Sequence, residues 1–156
     1  MIIERPELEM YLPHEASMLL LDRIVGFDIA KGTLAAEVDT GAQDLFYHEE
    51  LKGIPAWTGF EYMAQSIAAL SGLNARKNRD AAPRIGFIMS IRAFTTSVPA
   101  YPAGHILRVE ILQLFRDNSV VSFECRILDG AEVVTTAIVN AIEIESDSML
   151  QEVLCG

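Results

Sequence analysis

The sequence predicts an α+β domain in which one long central apolar helix is wrapped by a curved antiparallel sheet of about six strands. Three observations carry that prediction. Residues 55–73 read at helical period with almost no solvated face: Trp57, Phe60, Ala64, Ile67 and Ala68 form one apolar stripe, and Met63, Leu70 and Leu73 spread apolar surface round the sides. Strand-like segments flank this helix, two before it and four after it, with turn residues between them. A helix apolar on most sides needs burial on most sides, and a single curled sheet supplies it.

The elements follow in order. Residues 1–17 carry few periodic signals, with Pro6 and Pro13 as punctuation and a turn at Leu12-Pro13-His14-Glu15. Residues 18–27 read as a strand with a buried start, and residues 33–40 as a second strand after the turn at Ala30-Lys31-Gly32. Residues 41–54 form a loop holding Phe46, Tyr47, His48 and Glu49-Glu50, and the apolar helix then runs to about residues 74–80. Residues 85–97 form a strand with an irregularity near Arg92-Ala93, and 98–104 a Pro- and Gly-rich connector. Strands at 106–115, 120–128 and 133–144 complete the sheet, the last two joined by a hairpin at Asp129-Gly130. Small residues on the helix (Ala64, Ala68, Ala69, Ser71, Gly72) let it approach the sheet closely. Exposed sheet edges commonly pair with a second copy, so a dimer is expected.

Composition bounds the function. A chain of 156 residues, 51% hydrophobic and without linker, repeat or low-complexity tract, is expected to be one domain over 1–156 with a proper core. Its net charge of −10 argues against nucleic acid and gives no general attraction to anionic membranes. No apolar run reaches the roughly 20 residues of a membrane span, and residues 1–5 are not a basic leader. A cytoplasmic location is therefore expected. Cys125 and Cys155 make no metal motif or disulfide framework, and the scattered histidines give no metal-ligand spacing. Ser66 and Ser71 lack the histidine and aspartate of a hydrolase triad.

One residue on the helix does not fit a core. Glu61 is its only carboxylate within residues 55–73, with Gln65 one turn on and on the same side. An unpaired buried charge costs several kcal/mol, so this carboxyl is paired, protonated or at work. The structural alternative is an ion pair with Arg84 or Arg92.

The segment Leu12-Pro13-His14-Glu15-Ala16-Ser17-Met18-Leu19-Leu20-Leu21-Asp22-Arg23-Ile24 resembles, without a gap, the LPHxxPFLLVDRV segment of the FabZ/FabA-like 3-hydroxyacyl-[acyl-carrier-protein] dehydratases. Pro55-Ala56-Trp57-Thr58-Gly59-Phe60-Glu61-Tyr62-Met63-Ala64-Gln65 likewise resembles their PGVLIVEAMAQ helix. Its wording is closer still to the ApeP-type dehydratase subunit associated with aryl polyene synthesis. The similarity runs over about residues 10–145 and implies the hot-dog fold.

The resemblance also implies chemistry. Dehydrating a 3-hydroxyacyl thioester on acyl carrier protein to the trans-2-enoyl thioester needs three things. These are a base for the C2 proton, an acid for the departing 3-hydroxyl, and donors for the enolate-like oxygen. Glu61 falls on the catalytic acidic position, and His48 is the candidate base. Ala56 replaces the glycine whose amide faces the thioester oxygen; Ala56, Trp57, Gly59 and Gln65 fall on substrate-contacting or supporting positions. His48 stands one residue from the family's histidine, and Glu49-Glu50-Leu51-Lys52 replaces Phe-Pro-Gly. No cofactor is expected beyond the phosphopantetheine arm of the substrate. The partners expected are the acyl carrier protein and a second hot-dog chain, identical or not. Two alternatives stand beside this reading: a non-catalytic or half-site subunit of a heteromeric dehydratase, and a hot-dog acyl thioesterase. His14 reads as a turn residue, His105 as a strand-edge residue, and Arg76-Lys77-Asn78-Arg79 as cations suited to a helix C-terminus.

Overall fold

The computed structural model describes residues 2–12, 18–77, 85–117 and 120–144. Nine strands and two helices follow one another: β1 (Ile3–Glu4), α1 (Arg5–Leu8), β2 (Arg23–Asp28), β3 (Thr33–Asp39), β4 (Gly53–Pro55), α2 (Gly59–Lys77), β5 (Ile85–Thr96), β6 (Ala100–Pro102), β7 (Ile106–Asp117), β8 (Val120–Asp129) and β9 (Glu132–Ile144). Seven strands form one sheet in the order β1-β2-β3-β7-β8-β9-β5, and β4 pairs with β6 apart from it. All pairings are antiparallel. Helix α2 packs against β3, β5, β7, β8 and β9, so the expected helix-in-sheet arrangement is the one observed.

Differences from the sequence expectation are local. The seventh strand is the two-residue β1, too short to leave a periodic signal. The apolar run Met18-Leu19-Leu20-Leu21 is not strand; β2 begins at Arg23. Leu19 and Leu21 are buried all the same, because this segment passes over α2. The connector at 98–104 and the loop before the helix each hold three strand residues, β6 and β4, which pair only with each other. Short non-local pairs of this kind leave no period-2 pattern to read. Residues 56–58 form a 3-10 turn ahead of α2. The irregularity in β5 lies at Ala93, with φ of 52° and a register shift between Arg92 and Thr95. Gly130 turns the β8–β9 hairpin at φ 65°. The expected turn at 13–15 and the tail beyond 144 lie outside the described residues.

The helix is not evenly buried. Tyr62, Met63, Ser66, Ala69, Leu70 and Leu73 face the core, whereas Phe60, Glu61, Ala64 and Ala68 are only partly covered and Trp57 is 54% exposed. Of the apolar stripe read from sequence, Trp57, Phe60, Ala64 and Ala68 lie on the open side of the helix, and Ile67 is buried in the core. Nearly every position is apolar, so hydrophobicity alone does not orient such a helix.

The start of α2 is fixed by Tyr101 on β6. Its hydroxyl donates to Ala56 O (3.2 Å) and shares a second bond with Thr135 Oγ1 (2.8 Å), and burial lifts its pKa to about 12. A Cβ at Gly59 would collide with that hydroxyl, and one at Gly72 with the Tyr11 carbonyl. Both glycines permit close approach of α2 to its surroundings.

Two predictions follow from this packing. Gly59→Ala is expected to cost about 1–3 kcal/mol in urea unfolding, and Tyr101→Phe about 1 kcal/mol. Combined, they are expected to cost less than their sum, because Phe removes the oxygen in the way; strict additivity would place the strain elsewhere. Cys125 is fully buried, and desolvation pushes its thiol up to about 12. It should resist a maleimide at about pH 8 until the chain is unfolded, and rapid labelling of Cys125 in the native protein would contradict the packing described.

Candidate active site

Glu61 stands in the first turn of α2, on the open strip between Phe60 and Ala64, where it is half-buried. Its orientation is set by Gln65, which is fully buried. The Gln65 amide oxygen accepts from Leu20 N (2.8 Å), and its Nε2 donates to Met18 O (2.9 Å) and, at 3.4 Å, to Glu61 Oε1. One side chain thus ties the helix to the segment before β2 and holds the carboxylate from the inside. The pattern Thr58-x-x-Glu61 has the spacing of a capping box, but Thr58 Oγ1 is buried without a partner, so the reciprocal bond of that motif is not made. Of the cations weighed as partners for Glu61, Arg92 is exposed on β5 and Arg84 lies outside the described residues.

The remaining expected positions separate. Ala56 is buried; its N–H donates to Pro99 O at 3.0 Å and its carbonyl receives the Tyr101 hydroxyl. That amide, expected to face a thioester oxygen, is engaged within the protein. The amide of Trp57 comes before the first helical hydrogen bond and has no backbone partner among the described residues. The Trp57 indole lies on the surface, edge-on to Phe46 with ring centroids 5.4 Å apart. Gly59 is buried against Tyr101, so its position is one of packing. Gln65 does not reach the surface, and its Nε2 bonds Glu61 from the buried side.

His48 lies in the loop over the N-terminus of α2. Its backbone pairs with Gly53 (His48 N to Gly53 O, 2.8 Å), and its ring is exposed. Within one chain, no hydrogen bond joins His48 to Glu61. His105 is not merely a strand-edge residue: its Nδ1 bonds both Asp129 oxygens, at 3.0 and 2.8 Å. That pair was not legible because its members stand 24 residues apart, His105 just before β7 and Asp129 at the end of β8.

A cavity of about 430 Å³ is lined among others by Leu20, Asp22, Asp44, Phe46, Ile54 and Tyr62. Tyr62 is almost wholly buried, and burial first, then Asp44, Tyr101 and Asp22, raises its pKa. Asp22 is also raised: burial and the Asp39 charge outweigh the Asp39 amide and the nearby Arg5 and Arg23. Among the described residues no cluster of three or more His, Cys, Asp and Glu could hold a metal, and no helix is long and apolar enough to cross a membrane.

The fold recurs in solved structures. The dehydratase heterocomplex ApeI:P from Xenorhabdus doucetiae contains a chain 26% identical to this one, with a TM-score of 0.84 over 94% of this chain and 96% of that one. More distant matches share the fold alone. Protein PH1136 from Pyrococcus horikoshii is 12% identical, with a TM-score of 0.66 over 90% and 95% of the two chains. The PaaI protein from the phenylacetic acid degradation operon of E. coli is 11% identical, with a TM-score of 0.60 over 79% of each. The family model for ApeP-like dehydratases matches residues 6–153. The helix bearing Glu61 and Gln65 lies within that span, and the chain belongs to the ApeP-like dehydratase family.

Proposed function

We propose that this chain is the glutamate-bearing subunit of a dehydratase acting on 3-hydroxyacyl thioesters carried by acyl carrier protein. In this reading its site is completed by a second hot-dog subunit. The observation that carries the proposal is Glu61, a half-buried carboxyl on an otherwise apolar strip of helix, aimed by the buried Gln65 amide. The strip offers Phe60, Ala64 and Ala68 beside the carboxyl, surface suited to an acyl chain or to a partner's apolar side chains.

In the reaction a base removes the C2 proton and the electron pair forms the C2=C3 bond. The C3–O bond breaks, and the oxygen leaves as water with a proton from Glu61. In this reading the Trp57 amide, at the positive end of α2, stabilises the enolate-like thioester oxygen. Glu61 must begin protonated to supply that proton. The base is a histidine presented across the subunit interface. His48 is exposed in the isolated chain and makes no hydrogen bond to its own Glu61, so in this reading it could serve only the carboxyl of another subunit. The outer edge of β5, at one end of the sheet, is available for that pairing. The ApeI:P complex is itself a heterocomplex, which supports a heteromer over a homodimer here.

Conversion of a 3-hydroxyacyl carrier-protein thioester to the enoyl form, followed by mass, tests the reading. The chain alone is expected to be slow, and the chain with its second hot-dog subunit fast. Glu61→Gln should lower the rate by on the order of 10²–10⁴-fold without weakening the complex. Gln65→Ala should lower kcat more than it raises KM, as a positioning residue would. His48→Ala should leave the heteromer's rate unchanged; a large loss would put His48 itself in the mechanism. Full activity of Glu61→Gln, or release of free acid instead of enoyl product, would defeat the proposal.

A further inference from the structure

The cavity beside Tyr62 has no part in the chemistry proposed for Glu61. Its described lining contains none of Trp57, Phe60, Glu61, Ala64 or Ala68, so it does not open along the strip that carries the carboxyl. Its walls are apolar, with Leu19, Leu20, Val38, Phe46 and Ile54 around about 430 Å³ of space, a volume within the range of small-molecule sites. Gln43 and Leu45, its exposed lining residues, mark the side from which it opens.

One polar group in this cavity has no partner. Tyr62 is 2% exposed, and its hydroxyl makes no hydrogen bond among the described residues. The described side-chain oxygens that are sealed from solvent without a partner are Asp39 Oδ1, Thr58 Oγ1, Ser71 Oγ, Ser122 Oγ and Asn140 Oδ1. The Tyr62 oxygen is not one of them, so it gives onto the cavity. A buried hydroxyl left unbonded is costly, and a ligand that bonds it recovers that cost.

The charged groups nearby are mostly engaged already. Asp22 accepts from Asp39 N (2.7 Å) and faces Arg5 Nη1 (3.6 Å), and Arg5 Nη2 donates to Leu19 O (2.6 Å). Asp44 Oδ2 accepts from Gly41 N (2.7 Å), and its second oxygen makes no hydrogen bond among the described residues. Burial first, then the charge of Asp44 and the weaker effects of Tyr101 and Asp22, keep the Tyr62 phenol protonated and able to donate. An anion here would meet two carboxylates, and a cation would lose its hydration against apolar walls. A neutral hydroxyl suits both groups, because it accepts from Tyr62 and donates to Asp44. We propose that the cavity binds a small apolar molecule carrying one neutral hydroxyl, held between Tyr62 and Asp44 and distinct from the acyl thioester that Glu61 serves. The proposal does not depend on the dehydratase reading.

Equilibrium dialysis of 2-naphthol against the chain, and against the chain with its second hot-dog subunit, tests this. A dissociation constant on the order of 0.1 mM or tighter is expected in both. Naphthalene, the same rings without the hydroxyl, should bind about 5–10-fold more weakly. Tyr62→Phe should weaken 2-naphthol by a similar factor and leave naphthalene unchanged, a pattern that loss of the fold would not give. Asp44→Asn, which removes the charged acceptor, should also weaken 2-naphthol alone. Equal affinity of wild type and Tyr62→Phe for 2-naphthol would overturn the proposal. So would absence of binding to the wild-type chain, or binding that disappears in the heteromer. In the Glu61→Gln heteromer, an excess of 3-hydroxyacyl carrier-protein thioester should leave the constant unchanged. Displacement of 2-naphthol there would overturn a separate ligand and make the cavity part of the acyl site.

Discussion

The structure depends most on the Gln65 amide. A helix without a polar face can rotate or slide against a sheet at little cost, because one apolar contact replaces another. Gln65 removes that freedom. Its buried oxygen and nitrogen must be satisfied, and the groups within reach are Leu20 N, Met18 O and Glu61 Oε1. Leaving either end of the amide unpaired in the interior would cost about 1–3 kcal/mol. One polar residue therefore fixes the rotation of α2, the path of the chain into β2 and the aim of the carboxylate.

Tyr101 performs the same service at the start of the helix. With its hydroxyl donating to Ala56 O, the Thr135 hydroxyl donates to it in turn, so β6, β9 and the 3-10 turn meet at one oxygen. Gly59 is the residue that lets them meet. The two anchors lie at opposite ends of the short stretch containing Trp57 and Glu61. The site is thus held from both sides by buried polar contacts and left open on the third. Preorganisation of this kind is what the role proposed for Glu61 requires.

Charge is organised on a coarser scale. Arg23 is gripped by Glu37 (2.8 Å) and Asp39, and Glu110 bridges Arg108 (2.7 Å) and Arg126 (2.6 Å) across β7 and β8. Burial alone would raise the Glu110 pKa, but the two guanidiniums together hold it below the usual carboxylate range. Several of the chain's cations are spent within its own sheet, while Glu49 and Glu50 remain at the surface beside the helix start.

The sequence by itself determined that one helix is central, that antiparallel strands surround it, and that Glu61 is the anomalous residue on it. These follow from local physics: period, turn chemistry and the cost of burying a charge. It also marked Gln65 as Glu61's neighbour, since four residues make one turn. What it did not determine was which side of the helix faces inward. Trp57 and Phe60 look like core, yet Trp57 is half in water, because a sequence apolar all round carries no rotational signal. Nor did it reveal that the Ala56 amide is consumed by Pro99, or that Tyr101 and Gly59 form one contact. Those partners are more than forty residues apart and meet only when β4 pairs with β6. Only the tertiary structure decided them, because a hydrogen bond between distant segments leaves no periodicity in either.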